Sequence, residues 1–183
     1  MNAQGLILVD LQNDYFPGGR MELEAVEAAA GRAAQLLRQF RDRALPVFHV
    51  RHVADRPGAT FFLPGTPGAD IHATVAPAPG EAVVVKHFPN SFRDTDLLER
   101  LRGAGVAEVT ICGAMSHMCI DATARAAADL GFTCRVAHDA CATRALAFGA
   151  VTVPAAQVHA AYMAALSAAY AQVLATAELL AAA

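Results

Sequence analysis

The chain has 183 residues, 55% of them hydrophobic and 17% charged, with a formal net charge of −3. That length favours a single compact domain over residues 1–183, and that composition excludes disorder. No basic run builds a nucleic-acid-binding stripe, and no apolar stretch is long and unbroken enough to span a membrane.

Leu6 to Val9 is an apolar run of strand length, closed by Asp10. It is too short for a signal peptide and lacks a positive flank, so the cytoplasm is the expected location. A helical period follows from about Glu22 to Ala44, with Val26, Ala30, Ala33, Leu37 and Phe40 on one face. Pro46 to Val50 reads as the second strand. The stretch from Ala54 to Pro79 holds five of the nine prolines and little periodicity. A loop of that length in a compact domain is usually functional.

Val83 to Val85 is the third strand and ends in Lys86. Asp94 or Thr95 is the expected cap of a helix running through Arg102 to Gly103 and Gly105. Val106 to Cys112 is the fourth strand, followed by a helix from near Cys119 to Leu130. Thr133 to Ala137 is the fifth strand, Pro154 to Leu166 the last helix, and Gln172 to Leu174 a short sixth strand. Near-continuous apolar strands alternating with helices indicate a mostly parallel sheet covered on both faces. The expected architecture is a three-layer α/β/α sandwich around a six-stranded, Rossmann-like sheet.

In such sheets ligands bind beyond the carboxyl ends of the strands. Asp10 follows strand one, Lys86 follows strand three, and Cys119 lies shortly after strand four. A cysteine reacts as its thiolate, which a helix N-terminus and a nearby ammonium both favour. Asp10 can take the thiol proton and return it to a leaving amine, and backbone N–H groups of the 113–119 turn can hold an oxyanion. Each residue alone also has a structural reading: a turn cap, a solvated charge, an inert core thiol. With no secretory signal the four cysteines are expected to be reduced, and their spacing matches no zinc motif.

The motifs as a set resemble the isochorismatase-like cysteine hydrolase superfamily. The matching segments are Leu8-Val9-Asp10-Leu11-Gln12-Asn13-Asp14, Pro64 to Ala69, Val84-Val85-Lys86, Ser91-Phe92 with Thr95-Asp96-Leu97, and Gly113 to Cys119. The resemblance implies that Asp10, Lys86 and Cys119 form a catalytic triad. It also implies a cis peptide between Ala114 and Met115 and an oxyanion hole from the N–H groups of Met115 and Cys119. Nicotinamidases of the superfamily carry an Asp-x-His metal motif after strand two. Here that stretch reads Arg51-His52-Val53-Ala54-Asp55, so no metal and no cofactor are expected, and nicotinamide is disfavoured as substrate.

Retention of Cys119 favours cleavage of a carbon–nitrogen bond in a small-molecule amide, carbamoyl compound or ureide. The alternatives are a nucleophile-free vinyl-ether hydrolysis and a non-catalytic binding module. Phe16, Phe61, Phe62, Phe92 and His117 are the expected pocket residues, with loop packing as the competing reading for the aromatic ones. Gln12, Asn13 and Asp14 are expected to brace the first turn. The alanine-rich last helix and the proline loop suggest a homo-oligomer, a dimer or larger.

Overall fold

The computed structural model describes residues 3–182. Six strands form one parallel sheet in the order β3-β2-β1-β4-β5-β8. These are β1 (Ala3–Val9), β2 (Val47–His52), β3 (Ala82–Lys86), β4 (Val106–Ala114), β5 (Thr133–Ala142) and β8 (Gln172–Leu174). Between the last two lies an antiparallel hairpin of β6 (Leu146–Phe148) and β7 (Val151–Val153). The helices are α1 (Val26–Asp42), α2 (Leu97–Gly103), α3 (Asp121–Asp129), α4 (Ala155–Ala169) and α5 (Thr176–Ala181).

The central strand shows why three layers form. Side chains alternate across a strand, and on β1 Leu6 and Leu8 join the core beneath α1 and α5. Ile7 and Val9 join the opposite core, with Leu97 and Leu101 of α2, Ala124 of α3 and Leu166 of α4. Both faces of β1 are therefore apolar and buried, as a parallel central strand requires. No helix among the described residues is long and apolar enough to cross a membrane.

Several boundaries differ from the sequence expectation. The first helix begins at Val26 instead of Glu22, because Ala25 is left-handed (φ 55°) and Glu24 bridges to Thr143. Asp94 is itself left-handed, and α2 begins only at Leu97, whose N–H is 3.4 Å from Thr95 Oγ1. Strand β5 runs five residues past Ala137, re-pairing with β4 after a register shift. The hairpin and α5 had no counterpart in the sequence reading. The chain leaves β1 towards β2 and β3 on one side and returns through β4, β5 and β8 on the other. The switch point between β1 and β4 is where an open α/β sheet places its ligand.

Candidate active site

Three segments converge on that switch point. Asp10 follows β1 in a left-handed conformation (φ 52°), a region that Asp tolerates better than most residues, and its N–H bonds Val50 O at 3.0 Å. Lys86 ends β3 directly opposite His52, the end of β2. Partners in a parallel register project to the same face, so the two side chains lie together. Strand β4 continues to Ala114, the Ala114–Met115 peptide is cis, and a π-helical turn over Ser116–Ile120 carries Cys119. Cys119 therefore sits in this turn, just before α3 begins at Asp121, and not at the α-helix start itself. Such turns recur at functional sites.

The turn is tightly held. At Gly113 (φ 128°) a Cβ would stand 2.0 Å from Val9 O, so only glycine lets β4 pass β1 here. Met115 O accepts the N–H groups of Met118 and Ile120, on either side of Cys119. Ser116 Oγ donates to Ala142 O at 3.3 Å and lies 2.8 Å from His159 Nδ1, and His117 Nδ1 lies 2.6 Å from Thr143 Oγ1.

Lys86 Nζ is 2.7 Å from Asp10 Oδ2, 3.0 Å from His52 Nδ1 and 3.3 Å from Cys119 Sγ. Asp10 and Lys86 are fully buried and Cys119 is 5% exposed. Burial alone would lower the Lys86 pKa; Asp10 and Cys119 outweigh it and hold the ammonium above its usual value. Burial, reinforced by the charge of Asp10, pushes the Cys119 thiol up against the pull of Lys86. Burial and Asp10 thus work against the lowering that Lys86 was expected to give. Moving the Cys119 proton onto Asp10 leaves the net charge of the cluster unchanged. Burial opposes that internal transfer far less than it opposes release of a proton to water.

Asp10 is equipped to receive the proton. Oδ2 is paired with the Lys86 ammonium at 2.7 Å, and Oδ1 has no hydrogen-bond partner among the described residues. A buried carboxylate with open acceptor capacity beside a thiol is a proton acceptor in waiting. His52 is pulled down to about 4, by burial first and by Lys86 second, and is therefore neutral at physiological pH. Asp10, His52 and Cys119 each bring one possible metal-ligand atom to within 4.8 Å of the others. Lys86 Nζ contacts all three residues, so the place between them is taken by an ammonium.

The cluster opens on a cavity of about 490 Å³ walled by Tyr15, Phe61, Phe62, Phe88, Met115 and Met118, with His52, His87, Asp55 and Arg56 as its polar margin. Of the expected pocket residues, Phe61 and Phe62 line it. Phe16, Phe92 and His117 do not. Phe16 stacks on His72 (centroids 3.6 Å apart), Phe92 packs against Phe132 in the core under α2 and α3, and His117 ties the π-turn to Thr143. Tyr15 was missed. A 3-10 turn over Asn13–Tyr15 turns Tyr15, and not Phe16, towards the cavity. The residues expected to brace the first turn hold the proline loop as well. Asp14 Oδ2 accepts the Phe62 N–H at 2.6 Å, and Asn13 Nδ2 donates to Pro67 O at 2.8 Å. At Gly68 a Cβ would meet the Asp14 carboxylate at 2.2 Å, a signal visible only in the Asp14/Gly68 pairing of motifs.

Known proteins share this fold and sequence. An isochorismatase-family protein of Bacillus subtilis (strain 168) is 52% identical over 93% of this chain and 95% of its own. A candidate isochorismatase hydrolase from Oleispira antarctica has a crystal structure that superposes with TM-score 0.95 at 57% identity, covering 98% of this chain and 97% of that one. The crystal structure of N-carbamoylsarcosine amidase from Thermoplasma acidophilum superposes with TM-score 0.80 at 25% identity, over 95% and 96% of the two chains. The isochorismatase domain matches residues 4–178, and the chain belongs to the isochorismatase family of hydrolases.

Proposed function

We propose that the chain hydrolyses a carbon–nitrogen bond of a small amide or carbamoyl compound through an acyl-enzyme at Cys119. The observation that carries this reading is the buried ammonium of Lys86 in contact with both Cys119 Sγ and Asp10 Oδ2. A vinyl-ether hydrolysis has no use for a thiol in that position. Similarity to an amidase adds a precedent for the bond class.

In the first half-reaction Asp10 takes the Cys119 proton as Sγ attacks the carbonyl carbon. The carbonyl π pair moves to oxygen, which the N–H groups of Met115 and Cys119 receive. The pair returns, the carbon–nitrogen bond breaks, and Asp10 gives its proton to the departing nitrogen, releasing ammonia or an amine. In the second half Asp10 takes a proton from water, the resulting hydroxide attacks the thioester, and the acid leaves as the thiol is restored. Lys86 stays charged throughout and stabilises the thiolate in each half. The cavity has the size usual for a small-molecule ligand, and its aromatic walls suit a flat or apolar acyl group.

The test is ammonia release from a panel of primary amides, N-carbamoyl compounds and ureides, with isochorismate as the vinyl-ether control. Cys119→Ala is expected to abolish release while keeping the wild-type melting curve. Turnover of isochorismate that survives Cys119→Ala would overturn the proposal.

A further inference from the structure

The mechanism above uses Asp10, Lys86 and Cys119, yet a fourth side chain touches the ammonium. We propose that His52 is a positioning residue for the thiol: it accepts an N–H of Lys86 through Nδ1 and so fixes Nζ between Cys119 and Asp10. The inference rests on the proposed thiol chemistry and extends it to a residue from a separate strand.

A lysine ammonium has three N–H donors on a flexible four-carbon stem, and it swivels unless several acceptors hold it. Here the surrounding groups come from three elements: Asp10 after β1, His52 at the end of β2 and Cys119 in the π-turn. Because Nδ1 faces a cation, the imidazole is neutral and carries its proton on Nε2. The His52 ring also forms part of the cavity wall, with Phe62 6.0 Å away.

The backbone of His52 is held as firmly as its ring. Gln12, fully buried, accepts the His52 N–H at Oε1 (2.7 Å) and donates through Nε2 to the His52 carbonyl (2.8 Å) and to Ala69 O (2.8 Å). One amide thus clamps both backbone groups of the residue that steadies Lys86. This gives Gln12, two residues past Asp10, a defined task. The charged and titratable groups around His52 are Lys86, Asp10, His87 and Arg56, and around Cys119 they are Asp10, Lys86 and Tyr15.

The test needs no substrate. Iodoacetamide at neutral pH serves as probe, with labelling of each cysteine followed by mass spectrometry. Wild-type protein is expected to label Cys119 ahead of Cys112, Cys134 and Cys141, none of which has a carboxylate and an ammonium against its sulfur. In His52→Leu, Cys119 labelling is expected to slow by about tenfold, the worth of one hydrogen bond to a charged group. His52→Asn, whose Oδ1 stands where Nδ1 does, should recover to within about threefold. Wild-type rates in His52→Leu, or no recovery in a folded His52→Asn, would overturn the inference. If His52→Leu does not fold, His52→Asn against His52→Gln carries the same test, since glutamine places its acceptor one bond further out. Equal rates in that pair reject the positioning role. A wild-type protein with no preference for Cys119 would instead sink the thiol-nucleophile reading, and this inference with it.

Discussion

Strand β2 carries two histidines three residues apart, His49 and His52, and each belongs to a charged cluster on its own face of the sheet. His49 lies 2.9 Å from Glu81, whose carboxylate also takes Arg41 at 2.6 and 2.7 Å and the Ala78 N–H at 2.7 Å. His52 lies against Lys86, whose counter-ion Asp10 meets the ammonium at Oδ2 and leaves Oδ1 without a partner among the described residues. Both imidazoles are kept neutral, by burial above all. The carboxylates differ. At Glu81 donors engage both oxygens, and the atom left bare in that cluster is a neutral His49 nitrogen, which is cheap to bury. At Asp10 the ammonium of Lys86 meets Oδ2, and the bare atom is Oδ1, a carboxylate oxygen, which is not. The satisfied cluster is a brace between α1 and the sheet; the unsatisfied one has free acceptor capacity where a proton must land.

The largest contrast should appear when one cation is removed from each cluster. Lys86→Met leaves Asp10 as an uncompensated buried charge and is expected to cost about 3–5 kcal/mol in urea unfolding. Adding Asp10→Asn to that variant should return most of the stability and none of the activity. Arg41→Met removes a partly exposed partner and should cost about 1 kcal/mol or less. A small effect at Lys86, or a stability loss that Asp10→Asn does not repair, would erase the distinction between brace and site.

The two clusters were not equally legible in the sequence. Asp10 and Lys86 stand out because each is the first polar residue after an apolar run, and a strand end is where an α/β sheet displays its chemistry. Cys119 was placed by the Gly113-containing turn, although its π-helical geometry was not readable from residue types. His52 was set aside because its neighbours do not make a metal motif. What escaped was a cross-strand pairing, His52 with Lys86, which only register reveals. Tyr15 and Phe16 are adjacent and equally aromatic, and a single 3-10 turn decides which meets the cavity. Helix α5 lies in an alanine-rich tail with weak periodicity, and its first residue is fixed from afar, with Asp139 Oδ1 accepting both the Thr176 N–H and hydroxyl at 2.7 Å. Local pattern gave the strands and the three catalytic candidates; long-range contacts gave the rest of the pocket.

Acid should separate the clusters next. Arg41 first, helped by the Ala78 N–H and His49, holds the Glu81 carboxyl down at about 2, below its ordinary 4.5. A depressed carboxyl pKa means the folded state resists protonation. Its stabilisation is present above about pH 4.5 and is lost as pH falls towards 2. Glu81→Gln should therefore be less stable than wild type at pH 6, and the gap should narrow between pH 4.5 and 2 in an acid titration followed by circular dichroism. A gap that stays constant across that window would mean the Glu81 charge contributes nothing to the fold.

The smallest expected effect is also the sharpest comparison, because it sets the two histidines against each other. Both have pKa values lowered from 6.5, so each weakens the fold as pH drops below 6.5, when the unfolded chain takes up protons that the folded chain refuses. His49→Leu removes a buried bare nitrogen and one hydrogen bond to a carboxylate that keeps three others, so at pH 7 it should change stability by about 1 kcal/mol or less. It should also flatten the loss of stability below pH 6.5, as His52→Leu should. Cys119 labelling is where the pair must part, unchanged in His49→Leu and slowed in His52→Leu. Both side chains sit on the same strand, so any general loosening of β2 would move both variants together. If His49→Leu slows labelling as much as His52→Leu does, the effect is transmitted through the strand, and contact with the ammonium is not its cause.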